Sequence, residues 1–335
     1  MALIEVDNLQ KTFRIAVRRT GPLAAIRTLL AREQRSVDAV AGISFAVAAG
    51  EMVGYIGPNG AGKSTTMKML TGILTPSAGR IVVDGRVPHR QRVEHVRRIG
   101  VVFGQRSQLW WDLPTIESFE LLRYIYRIPE QRWRDNLRSF SALLELEPFL
   151  ETPVRQLSLG QRMRADLVAA LLHDPSILFL DEPTIGLDIV ARERIRDFLT
   201  TINRERGVTI MLTTHDLADI ARLCPRVVLI DHGRVVYDGG LDALRARFGR
   251  QRTLVIDLSQ PAEQIAAPGA TVVRHEGPRV WLRFDREQIT AAELISSVAA
   301  RYPIRDLTVE EPEIETIIRD IYQGQQPGAL TIHEP

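Results

Sequence analysis

Residues 57–65 read Gly57-Pro58-Asn59-Gly60-Ala61-Gly62-Lys63-Ser64-Thr65, directly after the apolar run EMVGYI and ahead of a helical pattern near 62–71. No other stretch restricts the fold so much. A G-x-x-x-x-G-K-[ST] run between a strand and a helix is the P-loop pattern, which belongs to α/β domains with a largely parallel sheet. Its glycines let the backbone wrap closely around phosphate oxygens with several N–H groups turned inward. The helix that follows aims its positive end at the same place. Lys63 adds a compact charge able to reach the outer phosphates, and Ser64 offers a hydroxyl to Mg²⁺. Composition supports the reading. Of 43 basic residues only Lys11, Lys63 and Lys68 are lysine; the rest are arginine. The chain departs from its arginine habit where a point charge is needed. Lys68, one turn further on, reads as a solvated helix residue, and Lys11 as surface.

A phosphate loop of this kind needs a metal-holding acid at the end of another strand. Ile177–Leu180 (ILFL) is a buried-strand pattern that ends in Asp181 and Glu182. The carboxyl ends of strands are where open α/β sheets bind ligands. Asp181 would hold Mg²⁺, directly or through water, and Glu182 would face an attacking water. A plain strand ending in a solvated acidic turn has the same local pattern; the P-loop elsewhere in the chain favours the catalytic reading.

Short apolar runs alternate with helical patterns from Glu51 to about Gly240, with Thr209–Leu212 (TIML) and Val227–Ile230 (VVLI) as further buried strands. Residues 1–13 and 37–49 read as strands. Between them, 14–36 (RIAVRRTGPLAAIRTLLAREQRS) reads as an insertion with a short amphipathic helix after Gly21-Pro22. After Gly239-Gly240 the texture changes. Residues 252–258, 271–274 and 279–284 read as strands, and 290–301 as a helix capped by Thr290, with Glu293 at the capping-box position. The expected organisation is a large domain at 1–240 and a small α+β domain at 241–335, whose last residues, 323–335, form a frayed tail. The net charge of +2 hides a division: 14–36 holds six arginines and one glutamate, whereas 241–335 holds 11 basic and 14 acidic residues. No apolar run is long enough to span a membrane. MALIEVDNLQ lacks the basic start and apolar core of a signal peptide. The single cysteine, Cys224, excludes an intrachain disulfide and fits a reducing compartment.

Together these motifs resemble the ATP-binding subunit of ABC transporters, over about residues 1–240. Gln105 in VVFGQRSQLWW matches the family's Q-loop. Leu157-Ser158-Leu159-Gly160-Gln161 matches the signature usually written LSGGQ, and Gly186-Leu187-Asp188 matches the D-loop. His215 in TTHD matches the switch histidine, and Phe13 falls where the family stacks an aromatic on adenine; an aromatic at a strand end suits a core equally well. The resemblance implies a P-loop NTPase cassette, with a parallel-sheet core, an antiparallel β subdomain and a helical subdomain. It implies ATP and Mg²⁺ as cofactors and a homodimer that sandwiches two ATP molecules. Ser158, Gly160 and Gln161 would face the partner's γ-phosphate, with Asp188 at the seam. Gln105 would bridge Mg²⁺ or water to the transporter partner, and His215 would hold the γ-phosphate beside Glu182. Leu159 replaces the signature's middle glycine, while Gly160 is retained.

The wording YIGPNGAGKSTTMKMLTGIL and FGQRSQLWWDLP, with the extra C-terminal domain, is similar to the cassettes of ABC-2-type exporters. These work on a separate membrane permease that selects the substrate. The expected place is the cytoplasmic face of the membrane. Segment 14–36 would lie against the permease or an anionic leaflet; a helix packed only on its own domain fits the same sequence. An importer ATPase is the nearer rival. A soluble cassette acting on nucleic acid or ribosomes is the more distant one. Ribosome-acting members usually carry two cassettes, and one P-loop is present here. Chromosome-type members need a long coiled coil between P-loop and signature, and no heptad tract lies in that interval. No nucleic-acid partner is expected.

Overall fold

The computed structural model describes residues 2–16, 34–104, 106–214, 216–262 and 265–322. They fall into two compact units that divide between Gly239 and Gly240. In chain order the first holds β1 (Ala2–Ala16), β2 (Gln34–Ala48), β3 (Met52–Ile56), α1 (Lys63–Leu70), β4 (Ala78–Val83), α2 (Arg92–Val96) and β5 (Ile99–Phe103). There follow α3 (Thr115–Tyr126), α4 (Glu130–Leu144), α5 (Leu159–Leu171), β6 (Ile177–Asp181), α6 (Ile189–Arg206), β7 (Thr209–Thr213), α7 (Leu217–Leu223), β8 (Arg226–Asp231) and β9 (Arg234–Gly240).

Six strands form one sheet in the order β5-β6-β7-β3-β8-β9. The pairs β5–β6, β6–β7, β7–β3 and β3–β8 are parallel. β3 is MVGYI, and all five residues are buried. A continuous apolar run suits a parallel strand covered on both faces, because neither face meets water. Close packing of helices on this sheet depends on missing side chains. A Cβ on Gly100 of β5 would lie 2.4 Å from the carbonyl oxygen of Ala170, so α5 can press on the sheet there.

A second sheet, β2-β1-β4, is antiparallel. Its strands run further than the sequence pattern indicates. β1 continues through Arg14, Ile15 and Ala16, and pairs down to Ala16 opposite Gln34. Residues 14–16 and 34–36 are thus strand, not insertion. Each strand satisfies the backbone groups of the other, so this arm needs little core of its own. The helix expected after Gly21-Pro22 lies outside the described residues. Buried side chains of β1, β2, β4, α1 and the parallel strands share one core, among them Ile4, Phe45, Met67, Ile81 and Phe179.

The second unit holds α8 (Leu241–Phe248), β10 (Gln251–Leu258), β11 (Ala270–Glu276), β12 (Arg279–Asp285), α9 (Ala291–Ala299), β13 (Ile304–Glu310) and α10 (Ile314–Tyr322). Its sheet runs β11-β12-β10-β13 with every pair antiparallel. Alternate residues Leu254, Ile256, Leu258 and Val280, Leu282, Phe284 share its core with Leu294 and Val298 of α9. The Thr290–Glu293 capping box forms as the sequence predicts. β13, α8 and α10 are additional to the sequence reading, and the tail at 323–335 lies outside the described residues. No described helix is long and apolar enough to cross a membrane.

Candidate active site at the sheet edge

β3 delivers the chain into the glycine loop at the carboxyl edge of the parallel sheet. Two glycines there have no substitute. A Cβ on Gly57 would lie 2.4 Å from the Ile230 carbonyl oxygen, and one on Gly62 would lie 2.4 Å from that of Ala39. Gly62 also has φ of 105° and forms the N-cap of α1 with no side-chain cap. The first i→i−4 bond of the helix is Thr66 N–H to Gly62 O. The amides of Lys63, Ser64 and Thr65 therefore have no acceptor within the helix, the standard state of a helix start. Asn59, Gly60 and Ser64 are exposed beside them, and Ala61 is buried. The result is a concave, donor-rich surface suited to a polyanion.

Lys63 is buried inside this loop. Its Nζ donates to the carbonyl oxygens of Gly57 at 2.5 Å and Pro58 at 3.1 Å. Burial pushes the ammonium below the usual lysine range, while the Glu182 and Asp181 carboxylates draw it back up. Lys63 and the two acids thus share one electrostatic neighbourhood, although they are distant in sequence. Lys68 is exposed. Lys11 is more engaged than its sequence suggests: Nζ donates to the Thr75 carbonyl oxygen at 2.8 Å and sits 5.3 Å from the Phe13 ring centroid.

Strand register sets the acids. Phe103 of β5, Asp181 of β6 and Thr213 of β7 are level with one another at the ends of their strands. The buried Thr213 hydroxyl donates to Asp181 Oδ1 at 2.5 Å, which fixes that carboxylate from behind. Glu182 comes next, with φ of 57°. Its N–H donates to the Thr213 carbonyl oxygen at 2.9 Å. A left-handed backbone costs a glutamate roughly 1 kcal/mol or more, and such strain concentrates at functional sites. The turn is also tight: a Cβ on Gly104 would lie 2.4 Å from the Glu182 carbonyl oxygen. Thr213 and Gly104 are parts of the site that the sequence reading missed. TTHD places Thr213 two positions before the expected switch histidine, but only the register shows what its hydroxyl meets. Gln105 and His215 lie outside the described residues.

Ser158 caps α5. Its hydroxyl accepts from the Gln161 N–H at 3.2 Å, and the Gln161 side-chain oxygen accepts from the Ser158 N–H at 2.8 Å. Gln161 is therefore committed to the capping box. Leu159 is 37% exposed and reaches the turn at Gly186, where a Cβ would come within 3.0 Å of its Cδ2. Gly186 (φ 71°) makes room for the leucine. Gly160 carries no such constraint; its nearest neighbour to a built Cβ is the Ala191 methyl at 3.4 Å. Asp188 caps α6 by accepting from the Ala191 N–H at 2.8 Å. Phe13 lies on β1, 36% exposed, opposite Val37.

The residues form two groups at strand ends and helix starts: the glycine loop with Lys63, Asp181 and Glu182, and the capped start of α5 with Asp188. The oxygen donors of the first group, the exposed Ser64 hydroxyl and the Asp181 carboxylate, are of the hard type that suits Mg²⁺ beside phosphate. Comparisons with known proteins identify the family. The ABC transporter family model matches residues 40–185. The chain is 35% identical over 271 residues to Nod factor export ATP-binding protein I of Ralstonia nicotianae, covering 75% of this chain and 80% of that protein. It is 31% identical over 298 residues to methionine import ATP-binding protein MetN of Latilactobacillus sakei, covering 86% of each. Among solved structures it is similar to the dimeric ATP-binding cassette MJ0796 in a post-hydrolysis state with ADP and Pi. That match has 27% identity and a TM-score of 0.59, and covers 71% of this chain and 98% of that one. The chain belongs to the ABC transporter family, as an ATP-binding subunit with ATPase activity.

Proposed function

We propose that this chain drives an ABC-2-type exporter, coupling ATP binding and hydrolysis by a pair of identical cassettes to a separate membrane permease. The observation that carries the hydrolytic part is Lys63 buried in the glycine loop within the field of Asp181 and Glu182. In this reading the loop from Gly57 to Thr65 holds the phosphates of ATP, with Lys63 on the outer ones. Ser64, Asp181 and Gln105 hold Mg²⁺, which neutralises phosphate charge when bound. Glu182 orients or deprotonates the attacking water, and its forced backbone aims the carboxylate. His215 holds the γ-phosphate beside it. Phe13 stacks on adenine. Ser158 and Gly160 of one chain face the nucleotide of the other. The Asp188 and Gln161 side chains cap their own helices, and in this reading they thereby hold the two helix starts that face the seam.

Export as the direction is supported by the ABC-2-like wording of the sequence and by the Nod factor export relative. The methionine import relative, which aligns with more of this chain, keeps import as the second reading. The membrane partner separates them. Co-purification with a multi-span permease, encoded without a solute-binding protein alongside, supports export. A solute-binding protein that stimulates ATPase activity through that permease would overturn it. The cassette would then sit at the cytoplasmic membrane face through the permease. Membrane contact through 14–36 is testable in the same assay: neutralising its arginines lowers transport and leaves the ATPase of the isolated chain unchanged.

A further inference from the structure

Leu159 stands where the signature pattern has a glycine, and its side chain makes a contact that a glycine cannot. It is the first residue of α5. Its Cδ2 lies over the turn that precedes Asp188, where a Cβ on Gly186 would be 3.0 Å away. Among the described residues, chain neighbours aside, no other atom comes within 4 Å of that position. The next residue repeats the approach: a Cβ on Gly160 would meet the Ala191 methyl at 3.4 Å. Ala191 also supplies the N–H that Asp188 accepts. The first turn of α5 therefore touches the other segment at two points, Gly186 and Ala191, which flank Asp188 in the chain.

The turn from Glu182 to Asp188 is held unevenly. Thr184 anchors its start, where the buried hydroxyl donates to Asp219 Oδ2 at 2.5 Å, and Leu187 anchors its end by burial. Between them the backbone bonds are long. The Ile185 N–H reaches the Glu182 carbonyl oxygen at 3.4 Å, and the Leu187 N–H reaches that of Thr184 at 3.3 Å. A well-formed bond of this kind measures about 2.9 Å. Arg192 adds only a 3.5 Å bond to the Leu187 carbonyl oxygen. Ile185 is exposed, and Gly186 at φ of 71° is the residue type with most backbone freedom. With glycine at 159, the apex of this turn would lose the one side chain that meets it at Gly186.

We propose that Leu159 is a positioning residue, a wedge between the start of α5 and the turn at Gly186, which fixes the approach to Asp188 and so lowers the ATP concentration at which two chains close. This rests on the reading above, in which Ser158, Gly160 and Asp188 lie at the seam. The contact is made within one chain before any partner arrives. The seam elements then meet the second chain in one arrangement, and less ordering remains to oppose association.

The test uses the full chain carrying Glu182→Gln, with two measurements: affinity of the single chain for a fluorescent ATP analogue, and the ATP concentration giving half-maximal dimer by light scattering. Adding Leu159→Ala keeps a good helix former and removes only the wedge. It raises the dimer midpoint about five-fold and leaves single-chain affinity within about two-fold, since residues 57–65 are unaltered. Leu159→Met keeps a long apolar side chain and stays within about two-fold of the parent in both. Gly186→Ala drives a methyl into Leu159 and raises the midpoint about ten-fold; in the Leu159→Ala chain, where that collision is absent, its effect is at least about three-fold smaller. An unchanged midpoint in Leu159→Ala overturns the inference, as does a Met variant as impaired as Ala. A Gly186→Ala effect of equal size in both chains overturns it too, because the two residues then act independently. Equal loss in both measurements, the mark of general destabilisation, also overturns it. A Glu182→Gln chain that stays monomeric in ATP overturns the underlying reading instead, and the inference falls with it.

Discussion

Thr213→Val isolates the support behind Asp181. Thr213 is fully buried, and its hydroxyl donates to Asp181 Oδ1 at 2.5 Å. Valine has nearly the same shape, so no cavity opens and the β-branched strand preference is kept. What disappears is one hydrogen bond to a carboxylate, worth about 1.5–3 kcal/mol. Part of that returns, because Asp181 is only partly buried and water can take the donor's place. A net loss of about 1–2 kcal/mol in holding the carboxylate is expected, and outer-sphere changes at metal sites cost about 10–100-fold in metal affinity. The assay is ATPase rate against Mg²⁺ at fixed ATP. The half-saturating Mg²⁺ concentration rises about ten-fold, with the rate at saturating Mg²⁺ much less affected. Thr213→Ser keeps the donor and stays near wild type. If Thr213→Val titrates like wild type while its stability to urea is also unchanged, the bond does not position Asp181 and the reasoning fails.

The glycine loop gives a graded prediction. Gly62→Ala collides with the Ala39 carbonyl and sits at φ of 105°, so nucleotide binding is lost and unfolding by urea shifts clearly to lower concentration. Gly60→Ala has open space at φ of 84° and pays only left-handed strain, about 1 kcal/mol. Acid stability should depend on His173. Its ring stacks on Tyr126 at 4.1 Å between centroids, and burial pushes its pKa down from 6.5 to about 4. The folded chain therefore holds the ring neutral. Its contribution is complete above the unfolded value of 6.5 and is lost as pH falls towards about 4. Asp166, pushed up to about 6 by burial, acts oppositely, with stability present at low pH and lost as pH rises from 3.8 to about 6. Comparing wild type with His173→Phe by urea unfolding removes that background. Near pH 5 the wild type loses about 2 kcal/mol relative to the variant; a constant difference from pH 7 down would refute a buried neutral imidazole.

Local chemistry made much of the site legible in the sequence. Glycines at close approaches, an apolar run and a terminal acid pair are short-range signals, and Gly57, Gly62, Lys63, Asp181 and Glu182 all stand at one sheet edge. Ser158 announces its helix by the capping chemistry the structure contains. What escaped depends on residues far apart in the chain. Only the β6–β7 register brings Thr213 to Asp181, and only helix packing brings Asp166 to Ser107 across 59 positions. The length of β1 and β2 escaped because an exposed two-stranded arm needs no apolar alternation. β13 is mostly exposed and so leaves a weak hydrophobic pattern. α10 is different: Ile314, Ile317, Ile318 and Ile321 keep helical spacing and are all buried. That spacing is legible in the sequence itself.

The central claim is that Glu182, held in its left-handed turn beside the glycine loop, activates water for ATP hydrolysis. The direct measurement is steady-state ATPase activity of Glu182→Gln beside wild type, with the oligomeric state in ATP and Mg²⁺ read from the same samples. Loss of a catalytic base predicts a fall in turnover of at least about 100-fold. It also predicts that ATP accumulates on a dimer which wild type forms only transiently. Turnover near wild type, with no ATP-bound dimer, would contradict the account.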